Sequence, residues 1–286
     1  MKSGFVAIVG RSNVGKSTLL NALIRQKLAA TSPKPQTTRT QIRGIFNDPR
    51  GQLVFVDTPG IFDTHYDILT ESMNKTAFEA LNDIDCIIYL VDPTRAIGRE
   101  ESHVLNRVLA SDKPKVLVIN KMDYRHTPFL MEYEALAPQF NAVVKISARK
   151  NTNLEELVST IFNFVDEGEP HYDSSQTTDI EQKNWMAEII REKCLNALRE
   201  EVPYTLMIEV TTVEERKAKT GGSVIFIHAN IITSDKKYKK MIIGREGRQI
   251  KEIGQSARRE LELILGKKIF LELEVMVDER WKEKMV

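Results

Sequence analysis

Gly10-Arg11-Ser12-Asn13-Val14-Gly15-Lys16-Ser17 decides the reading of the first half of the chain. The stretch follows the apolar run Phe5–Val9, opens the helical pattern Lys16–Arg25 and fits G-x-x-x-x-G-K-[ST]. Glycines at both ends let the backbone turn its amides inward around phosphate oxygens, and the helix that follows adds its dipole. Lys16 supplies a point positive charge, and Ser17 a hydroxyl for magnesium. Beyond this stretch, apolar runs at Leu53–Val56, Ile87–Val91, Val116–Ile119 and Ala142–Ile146 alternate with helical patterns. That order predicts an α/β fold: a mostly parallel sheet covered by helices, with ligand groups at the carboxyl ends of the strands.

Composition bounds the remaining possibilities. With 286 residues, 42% hydrophobic and 28% charged, the chain has material for two domains and is not a disordered one. Its longest apolar runs, Cys86–Val91 and Val116–Ile119, fall far short of the roughly 20 residues that cross a bilayer. The first strand pattern begins so early that no signal sequence fits, and a cytoplasmic location is expected. Cys86 and Cys194 read as core thiols rather than as a disulfide or a metal site.

Three further stretches have the spacing of a nucleotide site. Asp57-Thr58-Pro59-Gly60 puts a carboxylate at a strand end, where it can hold magnesium through a water, and a glycine amide that can touch a terminal phosphate. Asn120-Lys121-Met122-Asp123 offers a carboxylate that can accept from the exocyclic amine and ring imino group of guanine. Asn120 can serve the other purine edge and tie loops together, and the Lys121 stem can lie along the ring. After the next strand, Ile146-Ser147-Ala148 offers the Ala148 amide to the guanine oxygen.

Together these stretches resemble a translation-factor-type GTPase domain, over nearly all of residues 1–170. The resemblance implies a nucleotide-contacting set of Gly10, Arg11, Ser12, Asn13, Val14, Gly15, Lys16, Ser17 and Thr18, with Asp57, Thr58, Pro59 and Gly60 at the phosphates. At the base it implies Asn120, Lys121, Met122, Asp123, Ser147 and Ala148. Pro35-Gln36-Thr37-Thr38-Arg39 resembles the first switch, with Thr38 the favoured magnesium contact beside Ser17 and Asp57, and Thr37 the alternative. Lys16, Thr38 and Gly60 are then the groups expected to stabilise the reacting phosphate. Ile61 stands where many GTPases carry the glutamine that orients water. Similar GTPases with that substitution carry an asparagine matching Asn13, which helps hold a potassium ion.

Periodicity lapses between Asp166 and Asp179, which reads as a boundary: a GTPase domain at 1–170, a linker at 171–180 and a second domain at 181–286. The second domain reads as α+β, with a helix near Glu181–Arg199, strands near Tyr204–Thr212 and Ser223–Ile232, a helix at Arg248–Leu265 and a strand at Ile269–Val277. Net charge is only +1, yet residues 236–268 hold 11 basic side chains against 4 acidic ones, the electrostatic footprint of a phosphate-backbone partner. Inside that island, Ile243-Gly244-Arg245-Glu246-Gly247-Arg248 carries G-x-x-G running into a helix. It resembles a type II KH domain, whose loop packs against about four nucleotides of single-stranded RNA. Lys240, Ile243, Gly244, Arg245, Gly247, Arg248 and Lys251 are the implied RNA contacts, and Glu246 departs from the basic or small residues frequent in such loops.

A GTPase followed by this module resembles the Era family, from Phe5 to about Val277. The resemblance implies GTP hydrolysis, binding near the 3′ end of 16S ribosomal RNA, help in small-subunit assembly, a monomer, and peripheral association with the inner membrane. Two rivals make different demands. A small-molecule kinase needs a base for its substrate hydroxyl and a lid, neither of which the sequence signals. A non-enzymatic RNA-binding protein would carry a damaged phosphate loop, whereas Gly15, Lys16 and Ser17 are intact.

Overall fold

The computed structural model describes residues 1–32, 34, 39, 41–58, 83–217 and 222–284. These form two units, one of residues 1–29 with 38–179, the other of residues 30–37 with 180–286.

In the first unit the strands are β1 (Lys2–Val9), β2 (Ile42–Asp48), β3 (Gly51–Asp57), β4 (Cys86–Val91), β5 (Lys115–Ile119) and β6 (Ala142–Lys145). They form one sheet in the order β2-β3-β1-β4-β5-β6. Every neighbouring pair is parallel except β2 with β3, which close an antiparallel hairpin from Ile42↔Asp57 to Asp48↔Gly51. β4 is buried at every position, as expected of an unbroken apolar run with helices on both faces. The helices α1 (Lys16–Ile24), α2 (Arg99–Leu109), α3 (Leu130–Glu134) and α4 (Leu154–Phe162) cover the sheet. The β1–α1, β3 and β5–α3 connections leave from the carboxyl ends of parallel strands, which brings three distant sequence stretches to one rim.

The stretch expected to be a linker is fastened to this unit. Gln52, almost fully buried on β3, accepts from the amides of His171 and Tyr172 at 2.8 and 3.0 Å and donates to the Tyr172 carbonyl at 2.9 Å. Ile45 N–H donates to the Thr177 carbonyl at 2.8 Å, and Thr178 bridges Gly44. Residues 177–178 thus bond the open edge of β2, and residues 171–172 are anchored by Gln52, where a solvated linker would leave those groups to water.

The second unit contains α5 (Gln182–Ala197), β7 (Leu206–Lys217), β8 (Ser223–Thr233), α6 (Lys236–Ile243), α7 (Arg248–Leu265) and β9 (Ile269–Val277). Its sheet runs β7-β8-β9, with β7 antiparallel and β9 parallel to β8. Ile253, Ala257 and Leu261, spaced four apart on α7, pack with Ile190 and Cys194 of α5 and Ile227, Ala229 and Ile231 of β8. Among the described residues no helix is long and apolar enough to cross a membrane.

Candidate nucleotide site and nucleic-acid interface

The phosphate loop turns through two left-handed residues, Asn13 at φ 64° and Gly15 at φ 105°. A side chain at Gly15 would place its Cβ 2.5 Å from Asn120 Nδ2, so only glycine meets both demands. Each carbonyl of the loop has a donor. Lys16 Nζ donates to Gly10 O at 3.0 Å and Arg11 O at 2.9 Å, and Arg95 to Ser12 O at 3.3 Å. Lys121 Nζ donates to Asn13 O at 3.0 Å, Asn120 Nδ2 to Val14 O at 2.8 Å, and Leu19 N–H to Gly15 O at 2.8 Å. With every carbonyl from 10 to 15 engaged by the protein, an anion in the loop meets amides rather than carbonyl oxygens. Burial holds the Lys16 ammonium below its ordinary value, against the opposing pull of Asp57, Glu100 and Glu101.

At the end of β3, Ser17 Oγ donates to Asp57 Oδ2 at 2.8 Å, and Asp57 is fully buried. A hydroxyl and a carboxylate in contact are hard oxygen donors, and they fit magnesium. The Thr58 hydroxyl donates to Ile8 O at 3.0 Å, which fastens β3 to β1.

The base end is built by β5 and the turn after β6. Asn120 is almost fully buried, and its Oδ1 accepts from Ala148 N–H at 3.0 Å while its amide holds Val14. It therefore ties three stretches together, and the Ala148 amide assigned by sequence to the guanine oxygen is already engaged. Ser147 Oγ donates to Asp123 Oδ1 at 2.7 Å and accepts from Lys150 N–H at 3.1 Å, fixing the carboxylate's orientation. Lys121 pairs with Asp92 at 2.6 Å, which aligns its stem. Met122 N–H donates to Ile146 O at 3.1 Å, joining the two base loops.

In the second unit, Gly244 and Gly247 both stand at φ 72° and Glu246 at φ 53°, so the G-x-x-G turn between α6 and α7 has positive φ at three of its four residues. A Cβ at Gly244 would lie 2.6 Å from Gln249 Cβ, whereas Gly247 faces open space. Lys240, Arg245, Arg248 and Lys251 line this turn on the surface, and Ile243 is half-buried against the core. Glu246 pairs with Arg248 at 2.9 Å. Beside the turn, a groove of about 290 Å³ runs between α7 and β9, lined by Ile250, Lys251, Gly254, Gln255, Arg258, Leu271 and Leu273.

These two constructions have known counterparts. The family described as 50S ribosome-binding GTPase matches residues 5–121, and the KH domain family matches residues 201–282. A protein of Halothermothrix orenii described as GTPase Era is 42% identical over 285 residues, covering 99% of this chain and 95% of its own. A GTPase Era of Aquifex aeolicus is 39% identical over 292 residues, covering 99% and 96%. The chain belongs to the Era family of GTPases. A crystal structure of an Aquifex aeolicus Era variant bound to GDP·AlF4⁻ superposes with a TM-score of 0.91 at 38% identity, over 99% of this chain and 96% of that one. A structure of Era with MgGDPNP and nucleotides 1506–1542 of 16S ribosomal RNA also gives 0.91, at 39% identity and the same coverage. Like its relatives, this Era-family chain is a GTPase with a C-terminal KH domain.

One expected site residue of this family member has its side chain engaged within the protein. The Arg11 side chain is directed into a buried contact with Glu101 at 2.9 Å, away from a phosphate in the loop. Thr37, Thr38, Pro59, Gly60 and Ile61 lie outside the described residues. Sequence reading missed Arg95 as a loop donor and the α7–β9 groove. The one signal for the groove was Gly254 inside a helix, where a Cβ would meet Leu273 at 3.4 Å.

Proposed function

We propose that this chain is a GTP-driven switch whose second unit binds 16S ribosomal RNA near its 3′ end in the cytoplasm and assists assembly of the small ribosomal subunit. The observation that carries the reading is the phosphate loop with every carbonyl from 10 to 15 engaged, joined in one chain to a positive-φ G-x-x-G turn ringed by lysine and arginine. A relative bound at once to MgGDPNP and to nucleotides 1506–1542 of 16S ribosomal RNA supports both halves.

In this mechanism Asp123, oriented by Ser147, accepts from the guanine amine and imino group, while Asn120 keeps the base loops in register with the phosphate loop. The loop amides and Lys16 bind the phosphates and stabilise the negative charge that spreads as water attacks the terminal one. Ser17 and Asp57 would hold magnesium, which supplies charge neutralisation at the phosphate oxygens. Thr38, or Thr37, and Gly60 complete the phosphate end in this reading, and Asn13 contributes to a potassium site in a chain that has Ile61 in place of the usual glutamine. RNA is held by the Gly244–Gly247 turn, where the backbone is open to a sugar-phosphate, with Lys240, Arg245, Arg248 and Lys251 as cations and Ile243 as an apolar support.

Crosslinking of the purified chain to a 16S 3′-end RNA, with GTP, GDP or no nucleotide and in potassium or sodium, tests this reading while released phosphate is counted. RNA capture that changes with nucleotide, and turnover faster in potassium, are expected. Capture indifferent to nucleotide would refute the switch, and equal turnover in the two salts would refute the potassium site.

A further inference from the structure

Arg11 is the second residue of the phosphate loop, and its guanidinium is buried against residues 95–101 and Tyr133. Its Nε pairs with Glu101 Oε2 at 2.9 Å, and its Nη1 donates to Ala96 O at 3.1 Å. Its Nη2 reaches Arg95 O and the Tyr133 hydroxyl, each at 3.4 Å. Glu101, in the first turn of α2, is fully buried and also accepts from the Tyr89 hydroxyl at 2.6 Å and the Tyr133 hydroxyl at 3.1 Å. The next loop residue is held by the same segment: Ser12 N–H donates to Glu100 Oε1 at 3.2 Å, and Ser12 O accepts from Arg95. Both residues before Asn13 are thus fixed by residues 95–101.

Asn13 is the residue at φ 64°. Asparagine enters that left-handed region more readily than most residues, so what distinguishes the loop is that the two residues leading into the turn are both held by side chains of residues 95–101. A buried ion pair is a poor source of stability, because apolar residues of similar size serve about as well. What apolar residues cannot do is hold a guanidinium fork in one orientation against two carbonyls, a carboxylate and a phenol. We propose that Glu101, acting through Arg11, positions the phosphate loop for GTP hydrolysis. Glu101 and the two tyrosines have no place at the phosphates, so they are positioning residues. The proposal rests on the reading of residues 10–17 as the GTP phosphate site.

The test uses the full-length double variant R11M/E101Q. It removes both charges together, so no ion is left buried alone; the E101Q carbonyl can still accept from the Tyr89 hydroxyl, while its amide NH2 faces the Tyr133 hydroxyl, which can accept from it and donate to Arg95 O. The readouts are kcat and KM for GTP at a temperature where circular dichroism shows the variant folded. A tenfold or greater fall in kcat with KM within threefold of wild type is expected, and R11K, which keeps the charge without the fork, should fall between. Should the double variant fail to fold, Tyr133→Phe removes one hydroxyl from Glu101 and Arg11 without changing charge, and a two- to fivefold fall in kcat is expected. Wild-type kcat in whichever variant folds, with or without a lower melting temperature, would overturn the proposal. Lys16→Ala separates this result from failure of the underlying reading. If Lys16→Ala also turns over GTP normally, the phosphate site itself is misassigned; if it is inactive while R11M/E101Q is normal, only the positioning role is lost.

Discussion

Asn120→Ala removes one side chain and leaves two buried backbone groups without partners. Its amide donates to Val14 O at 2.8 Å and its carbonyl accepts from Ala148 N–H at 3.0 Å. Val14 is fully buried and Ala148 almost so, and water has no ready route to replace either bond. An orphaned buried donor or acceptor costs about 1–3 kcal/mol. Two of them, with partial relaxation, give a loss of about 3 kcal/mol in the first unit. With a urea slope of about 2–3 kcal/mol per molar, the unfolding midpoint should fall by about 1–1.5 M. The two tryptophans, Trp185 and Trp281, both belong to the second unit, so their fluorescence follows that unit while far-ultraviolet circular dichroism follows both. In nucleotide-free protein the dichroism transition of the first unit should move and the tryptophan transition should stay. An unmoved first-unit midpoint would show that Asn120 is not the tie between the loops. A tryptophan transition that moves equally would refute the assignment of the damage to one unit.

Ser147→Ala, which takes the 2.7 Å donor from Asp123, should weaken GTP about tenfold and leave ATP unchanged in competition titrations. Asp123→Asn should shift preference toward XTP in the same titrations, because the two-position carbonyl of XTP needs a donor. At Gly247, where φ is 72° and the surrounding space is open, Gly247→Asp should keep the fold by circular dichroism and the GTP affinity, while RNA affinity drops as charge enters the turn; unchanged RNA binding would make the turn purely structural. Burial pushes the Cys86 and Cys194 thiols up to about 12, so at pH 8 only about one in 10⁴ is thiolate and Ellman's reagent should label neither until the chain unfolds. Because the unfolded thiols ionise near 9.0, the folded state binds more protons between there and about 12, and stability should fall as pH climbs through that window.

The central strands were legible because β4 and β5 are covered on both faces and therefore spell unbroken apolar runs. β2 was not, since Ile42-Arg43-Gly44-Ile45-Phe46-Asn47-Asp48 shows neither an apolar run nor a clean alternation. As an edge strand it pairs on one side with β3 and on the other with residues 177–178, and its polar positions answer to those partners. The same partnership explains why 171–179 read as a linker. A polar stretch that fills an edge with backbone hydrogen bonds has the composition of a solvated loop, and the buried amide that anchors it, Gln52, lies about 120 residues away.

Within the candidate site, legibility followed whether a residue's partner is set by local spacing. Asn120 to Asp123 sit in one short turn beyond a strand, so chemistry and position could be read together. Glu101 could not be read that way. In sequence it is a first-turn acid of an amphipathic helix, a residue that helix-dipole complementarity explains without remainder. Only the fold shows that α2 begins against the back of the phosphate loop, which turns that acid inward to Arg11 and leaves Glu100 to meet the Ser12 amide. A loop motif specifies the groups that face the ligand. The groups that hold the loop's outer face come from whichever element the topology lays behind it, here the helix after β4, so they carry no spacing relative to the motif.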